Sequence, residues 1–207
     1  MSVWNGWGIV LFCMAIIGAI AQGRAQTTGS KPLNEASTLN EALTFNGDGA
    51  LRSQAIHWPD GFHPEQAGLF AHNEITIHAS CEKVFATIVD AQVWPEWYPN
   101  SHNVTLLNSP DGKLHQGTRF SWDTFGVHIE SRVHEFVPGS CIGWFGDGTG
   151  MNAYHTFLLL KTDEGCRIVT EEVVKGPGAV DFRKKQPNAM HEGHDLWLST
   201  LKQRSEN

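Results

Sequence analysis

Between Thr118 and Lys175 five strand-like runs follow one another: Thr118 to Asp123, Val127 to Val137, Cys141 to Phe145, Ala153 to Thr162 and Arg167 to Lys175. Only short segments containing Gly, Pro or Asp separate them. Successive parallel strands need a crossover of roughly a dozen residues, and these gaps leave no room for one. The runs are therefore expected to form an antiparallel meander.

The flanking segments complete the pattern. Glu74-Ile75-Thr76-Ile77-His78 alternates as a strand does. Ser80 can cap a helix that carries Val84, Phe85, Ile88 and Val89 at helical spacing. That helix ends before Pro95, Trp94 to Tyr98 forms a short aromatic helix or turn stopped by Pro99, and Val104 to Leu107 resumes extended structure. At the far end, Asn188 to Gln203 reads as a long helix with Met190, His194, Trp197, Leu198 and Leu201 on one stripe. The order predicts an α+β fold: a curved antiparallel sheet of about seven strands wrapped around a long C-terminal helix, with two short helices after the first strand.

Residues 1–25 read as a signal peptide or membrane anchor, because Ile9 to Ala21 is apolar but shorter than a span of roughly 20 residues. Residues 26–55 read as a polar linker and 56–207 as one folded domain, with Ile56 to Leu69 an extended arm packed against it. Export, periplasmic or secreted, is the expected location; the alternative is membrane association through residues 9–21. An exported chain would retain Cys81, Cys141 and Cys166, enough for at most one disulfide, and spacing leaves the pairing open. The net charge of -7, without basic clusters beyond Arg183-Lys184-Lys185, argues against nucleic acid as a partner.

Ile75-Thr76-Ile77, the helix Cys81 to Ala91, Trp94-Pro95-Glu96-Trp97-Tyr98-Pro99-Asn100, Gly117-Thr118-Arg119-Phe120, Thr170-Glu171-Glu172 and His194-Asp195-Leu196-Trp197-Leu198 form a set of distinctive segments. Together they resemble the SRPBCC superfamily, the helix-grip fold of START and birch-pollen-allergen-like proteins, in its polyketide cyclase/dehydrase-like branch. The resemblance covers roughly Ile56 to Gln203 and implies a container for a hydrophobic small molecule, lipid or polyketide-like. The alternative it implies is a cyclase or dehydratase of lyase type, so whether the chain is an enzyme stays open. The oligomeric state is equally open.

Strand parity nominates the cavity wall. Val127, Ile129, Ser131 and Val133 share one face, while His128, Glu130, Arg132 and His134 take the other as a solvated surface. Trp122, Trp144, Phe157, Trp197 and Leu201 join Ile129 and Ser131 as candidate ligand contacts, since aromatic surfaces suit a ring-containing ligand. The glycines at 143, 146, 148 and 150 suggest a flexible turn at the mouth. His194 on the helix stripe, His155 and Glu171 are the candidate acid-base groups, because a cavity carboxylate or imidazole can titrate near neutral pH. Parity leaves His155 undecided, since both faces of Ala153 to Lys161 are largely apolar, and it equally leaves open whether Glu171 or Glu172 points inward. His191 and His194 lack the spacing of a His-Glu-x-x-His helix motif, so no metal and no cofactor is expected.

Overall fold

The structure is a computed structural model that describes residues 47–207. The expected signal or anchor, and the linker up to residue 46, lie outside the described residues. Seven strands form one antiparallel sheet: β1 Leu69–Ile77, β2 His102–Leu106, β3 Arg119–Thr124, β4 Val127–Val137, β5 Cys141–Gly148, β6 Met151–Thr162 and β7 Gly165–Lys175. Their order across the sheet is β1-β7-β6-β5-β4-β3-β2. Consecutive strands from β2 to β7 are neighbours, and β1 closes the far edge by pairing with β7. Register shifts between His102 and Thr105 in β2 and between Val133 and Glu135 in β4 are sites where such a sheet bends.

The helices are α1 Asp48–Leu51, α2 Cys81–Val89, α3 Trp94–Trp97, α4 Pro177–Lys185 and α5 Ala189–Glu206. In α2 the Ser80 hydroxyl accepts from the Lys83 N–H at 3.2 Å, satisfying one of the N–H groups that a helix start leaves open. Its Val84, Phe85, Ile88 and Val89 are buried. They join α5 residues Trp197, Leu198 and Leu201 and the inner face of the sheet in the main core. Trp94, at the start of α3, anchors that core. Its indole N–H donates to the Ile88 carbonyl at 2.9 Å, and its ring meets Phe120, Trp122, Trp144 and Trp197 at 5.1 to 5.8 Å. A disulfide joins Cys81 at the start of α2 to Cys166 in β7, and Cys141, at the start of β5, is buried outside that bond.

Over β1, β6 and β7 the opposite face of the sheet is also buried, whereas His128, Glu130, Arg132 and His134 of β4 are exposed there. Trp58 lies against Phe70 and Tyr154, and Phe62 lies against Phe145 and Tyr154, so the segment before β1 forms a strap over the outer surface.

Three expectations need correction. Ordered packing begins before Ile56: α1 falls in the segment read as linker, with Asp48 fully buried and within 3.2 Å of the His191 ring. Strand β1 starts at Leu69, five residues before Glu74, because apolar Leu69, Phe70 and Ala71 are buried together and do not alternate with exposed residues. Helix α4 was not anticipated, since its mixed Gly and basic composition carries no apolar stripe.

Candidate functional site

Between α5 and the inner face of the sheet lies a cavity of about 730 Å³, a volume that includes its open mouth. Trp122 from β3, Ile129 from β4, Trp144 from β5 and Trp197 from α5 form apolar walls, and Phe125, Phe182 and Met190 complete the lining on the side of α4. Gly146 and Gly148 line the same space from within β5. Their expected role in a flexible mouth turn is therefore corrected: a Cβ on Gly148 would sit 2.8 Å from the Ile129 side chain, so the missing side chains keep wall packing and cavity compatible. Helix α5 approaches the β3–β4 turn equally closely, since a Cβ on Gly193 would fall 2.3 Å from the Phe125 ring.

One end of this apolar space is polar. His155 from β6, Glu172 from β7 and His194 from α5 all line the cavity. His194 Nε2 lies 3.0 Å from Glu172 Oε2, His155 Nδ1 lies 3.9 Å from the same oxygen, and the two imidazoles stack at 4.7 Å. The outward edges of both rings are fixed. His155 Nε2 is 2.8 Å from the Thr170 hydroxyl, and His194 Nδ1 is 3.2 Å from the Asn73 side-chain oxygen. Strand pairing explains the convergence, because His155 is directly opposite Glu172 and Asn73 is directly opposite Thr170.

Burial sets the charge states. It pushes the His155 imidazole down to about 3, opposed by the Glu172 charge and assisted by His194, so this ring is neutral over the ordinary pH range. For Glu172, burial acts to raise the carboxyl, but His155 and the hydrogen bond and charge of His194 outweigh it and hold the group below its usual value. Tyr98, whose hydroxyl donates at 3.3 Å to the carbonyl of Gly193 next to His194, also lines the cavity, and its phenol is pushed well up, chiefly by burial.

The structure brings His155, His194, Trp122, Trp144, Ile129 and Trp197 to the cavity. Three other nominated contacts stand behind the wall. Ser131 accepts from the Trp122 indole N–H at 3.2 Å, Phe157 packs on Trp144, His155 and Trp197, and Leu201 is buried in the core. Glu171 is on the other side of the sheet: it accepts from the Ser53 backbone N–H and lies 2.7 Å from His72 Nδ1. Glu172 takes the inward position, because alternation along β7 puts it on the face of Thr170. Asn73 and Tyr98 were missed. Asn73 sits between polar His72 and Glu74 and gave no distinguishing sequence signal, while Tyr98 lay inside a motif read for its aromatic packing.

Fold and site together define a helix-grip protein with an aromatic cavity ending in a buried His-Glu-His cluster. The chain belongs to the family described as polyketide cyclase / dehydrase and lipid transport, whose match spans residues 71–206. A hypothetical protein, jhp0584, from Helicobacter pylori is 32% identical with a TM-score of 0.68, covering 74% of this chain and 98% of that one. A START superfamily protein from Mycobacterium smegmatis shares the fold at 16% identity and TM-score 0.55, over 66% of this chain and 97% of that one. So does the di-domain ARO/CYC StfQ of the steffimycin biosynthetic pathway, at 15% identity and TM-score 0.56, over 66% of this chain and 50% of that one. No curated protein matches the chain.

Proposed function

We propose that this protein binds or transports a hydrophobic small molecule, lipid or polyketide-like, whose one polar group docks at His155, Glu172 and His194. The observation that carries this reading is the make-up of the cavity: tryptophan, phenylalanine, methionine and aliphatic walls surround a buried cluster of His155, Glu172 and His194. Apolar surface supplies affinity and a few placed polar groups fix orientation. The Cys81–Cys166 disulfide supports an exported setting, since such bonds persist in oxidising compartments.

The test is native mass spectrometry of protein extracted from its own source, followed by tryptophan fluorescence titration with the molecule found. A ligand that quenches wild type but binds at least roughly tenfold more weakly to Glu172→Ala supports the reading. Reproducibly ligand-free protein, silent to a lipid and polyketide panel, would overturn it.

A second reading rests on the 3.0 Å contact of His194 Nε2 with Glu172 inside the cavity. It offers an acid-base pair to a cyclase or dehydratase, with one group removing a proton and its partner returning one to the departing hydroxyl. Turnover of a polyketide-like substrate that drops roughly 100-fold in Glu172→Gln, with binding preserved, would favour this reading over simple carriage.

A further inference from the structure

We propose that His155, Glu172 and His194 bind one divalent first-row transition-metal ion, with Zn²⁺ the expected occupant. The three donors come from β6, β7 and α5, and one ligand atom from each lies within 4.8 Å of the others. An ion about 2.1 Å from each of three ligands in tetrahedral array holds them about 3.4 Å apart. The observed separations of 3.0 Å and 3.9 Å from Glu172 Oε2 straddle that value and the two imidazole donors lie within 4.8 Å of each other, so the side chains would draw together to close on an ion.

The hydrogen-bond network decides where the protons are. The Asn73 amide nitrogen donates to the His191 carbonyl at 3.1 Å and to Asp195 Oδ1 at 2.8 Å, which fixes its oxygen toward His194. His194 Nδ1 must therefore carry hydrogen and donate to that oxygen. The Thr170 hydroxyl donates its one hydrogen to the Thr156 carbonyl at 3.0 Å, so it accepts from His155 Nε2–H. In the neutral rings the remaining lone pairs are His194 Nε2 and His155 Nδ1, and both approach Glu172 Oε2. Two nitrogen lone pairs and a carboxylate oxygen gathered within 4.8 Å repel unless a cation lies among them. A proton can bridge one pair, whereas a metal ion satisfies all three donors.

The surroundings suit such an ion. His155 and His194 are 4% and 2% exposed and Glu172 is 17% exposed, so the donors are withdrawn from solvent while the cavity leaves a further position open. Imidazole with a single carboxylate favours zinc, iron, nickel or copper over magnesium or calcium. Asn73 and Thr170 occupy the supporting positions that orient metal-binding histidines and set their tautomer. The inference stands whether the rest of the cavity holds a lipid or a reacting substrate.

The test strips the purified full-length chain with a chelator, titrates it with Co²⁺, and displaces Co²⁺ with Zn²⁺. Wild type is expected to take up one equivalent with the visible absorption of four- or five-coordinate cobalt. Glu172→Gln and His194→Ala should each weaken uptake by at least roughly 100-fold, and Asn73→Ala and Thr170→Val by roughly 10- to 100-fold. His128→Ala, which removes a surface histidine beside Asp123 and Glu130, should change nothing. Thermal melts by circular dichroism confirm that each variant is folded. Absence of a stoichiometric cobalt spectrum in wild type overturns the proposal without recourse to any variant, as does wild-type affinity in folded Glu172→Gln.

Discussion

Glu171 and Glu172 are adjacent in β7 but serve opposite sides of the sheet. Glu171 is fully buried beneath the N-terminal strap, where His72 and the Ser53 backbone N–H partner one of its oxygens. Glu172 faces the cavity between two histidines, beside open space. The first carboxylate closes a seam and the second presents itself to whatever enters. Histidine partners thus accompany a structural role where the strap seals the surface and a functional role where the protein leaves a void.

The largest expected effect comes from exchanging that logic by mutation. Glu171→Ala leaves buried His72 and the Ser53 N–H without their partner, and should cost about 3 kcal/mol of folding stability in chemical denaturation while leaving cavity affinity intact. Glu172→Ala should do the reverse, with an almost unchanged denaturation midpoint and loss of ligand binding. If both variants lost stability equally, the division between seam and site would collapse.

Trp58→Ala probes the seam through packing instead of charge. Trp58 is partly buried and touches Phe70 and Tyr154, so its removal should cost about 2 kcal/mol, below the range for a fully buried tryptophan. An unchanged midpoint would show that the strap contributes nothing to stability.

The smallest effect is electrostatic. Burial raises the Asp48 carboxyl above its ordinary value of 3.8, although the His191 hydrogen bond and charge pull it down. The folded chain therefore holds this proton more tightly than the unfolded chain. Its contribution is fully present below pH 3.8 and is lost as the pH rises through the folded value. Asp48→Asn should be slightly more stable than wild type at pH 7, and the gain should vanish as the pH approaches 3.8. A gain that is constant with pH would assign it to packing.

The same two-sided burial explains what could be read in advance. The meander, the amphipathic α2 and the α5 stripe with His194, Trp197, Leu198 and Leu201 were legible because each has one apolar face and one wet face. In β6 and β7 that contrast is absent. Tyr154, Leu158, Val169 and Val173 are buried on the outer side while Phe157, Leu159, Ile168 and Thr170 are buried on the inner side. Period-two alternation carries no information when both faces are dry, and the choice between Glu171 and Glu172 fell in that stretch. The His-Glu-His cluster was illegible for a different reason: its members are separated along the chain and meet only through strand pairing and the seating of α5.

The strap has a practical consequence for anyone shortening the chain. The family match begins at residue 71, after Trp58 and Phe62. A fragment cut at that boundary would leave Tyr154 and Val173 facing water on the outside of a seven-stranded sheet, joined by whatever apolar surface Phe145 adds. Such a surface invites self-association, and insolubility of that fragment would reflect a missing cover and not a failed fold.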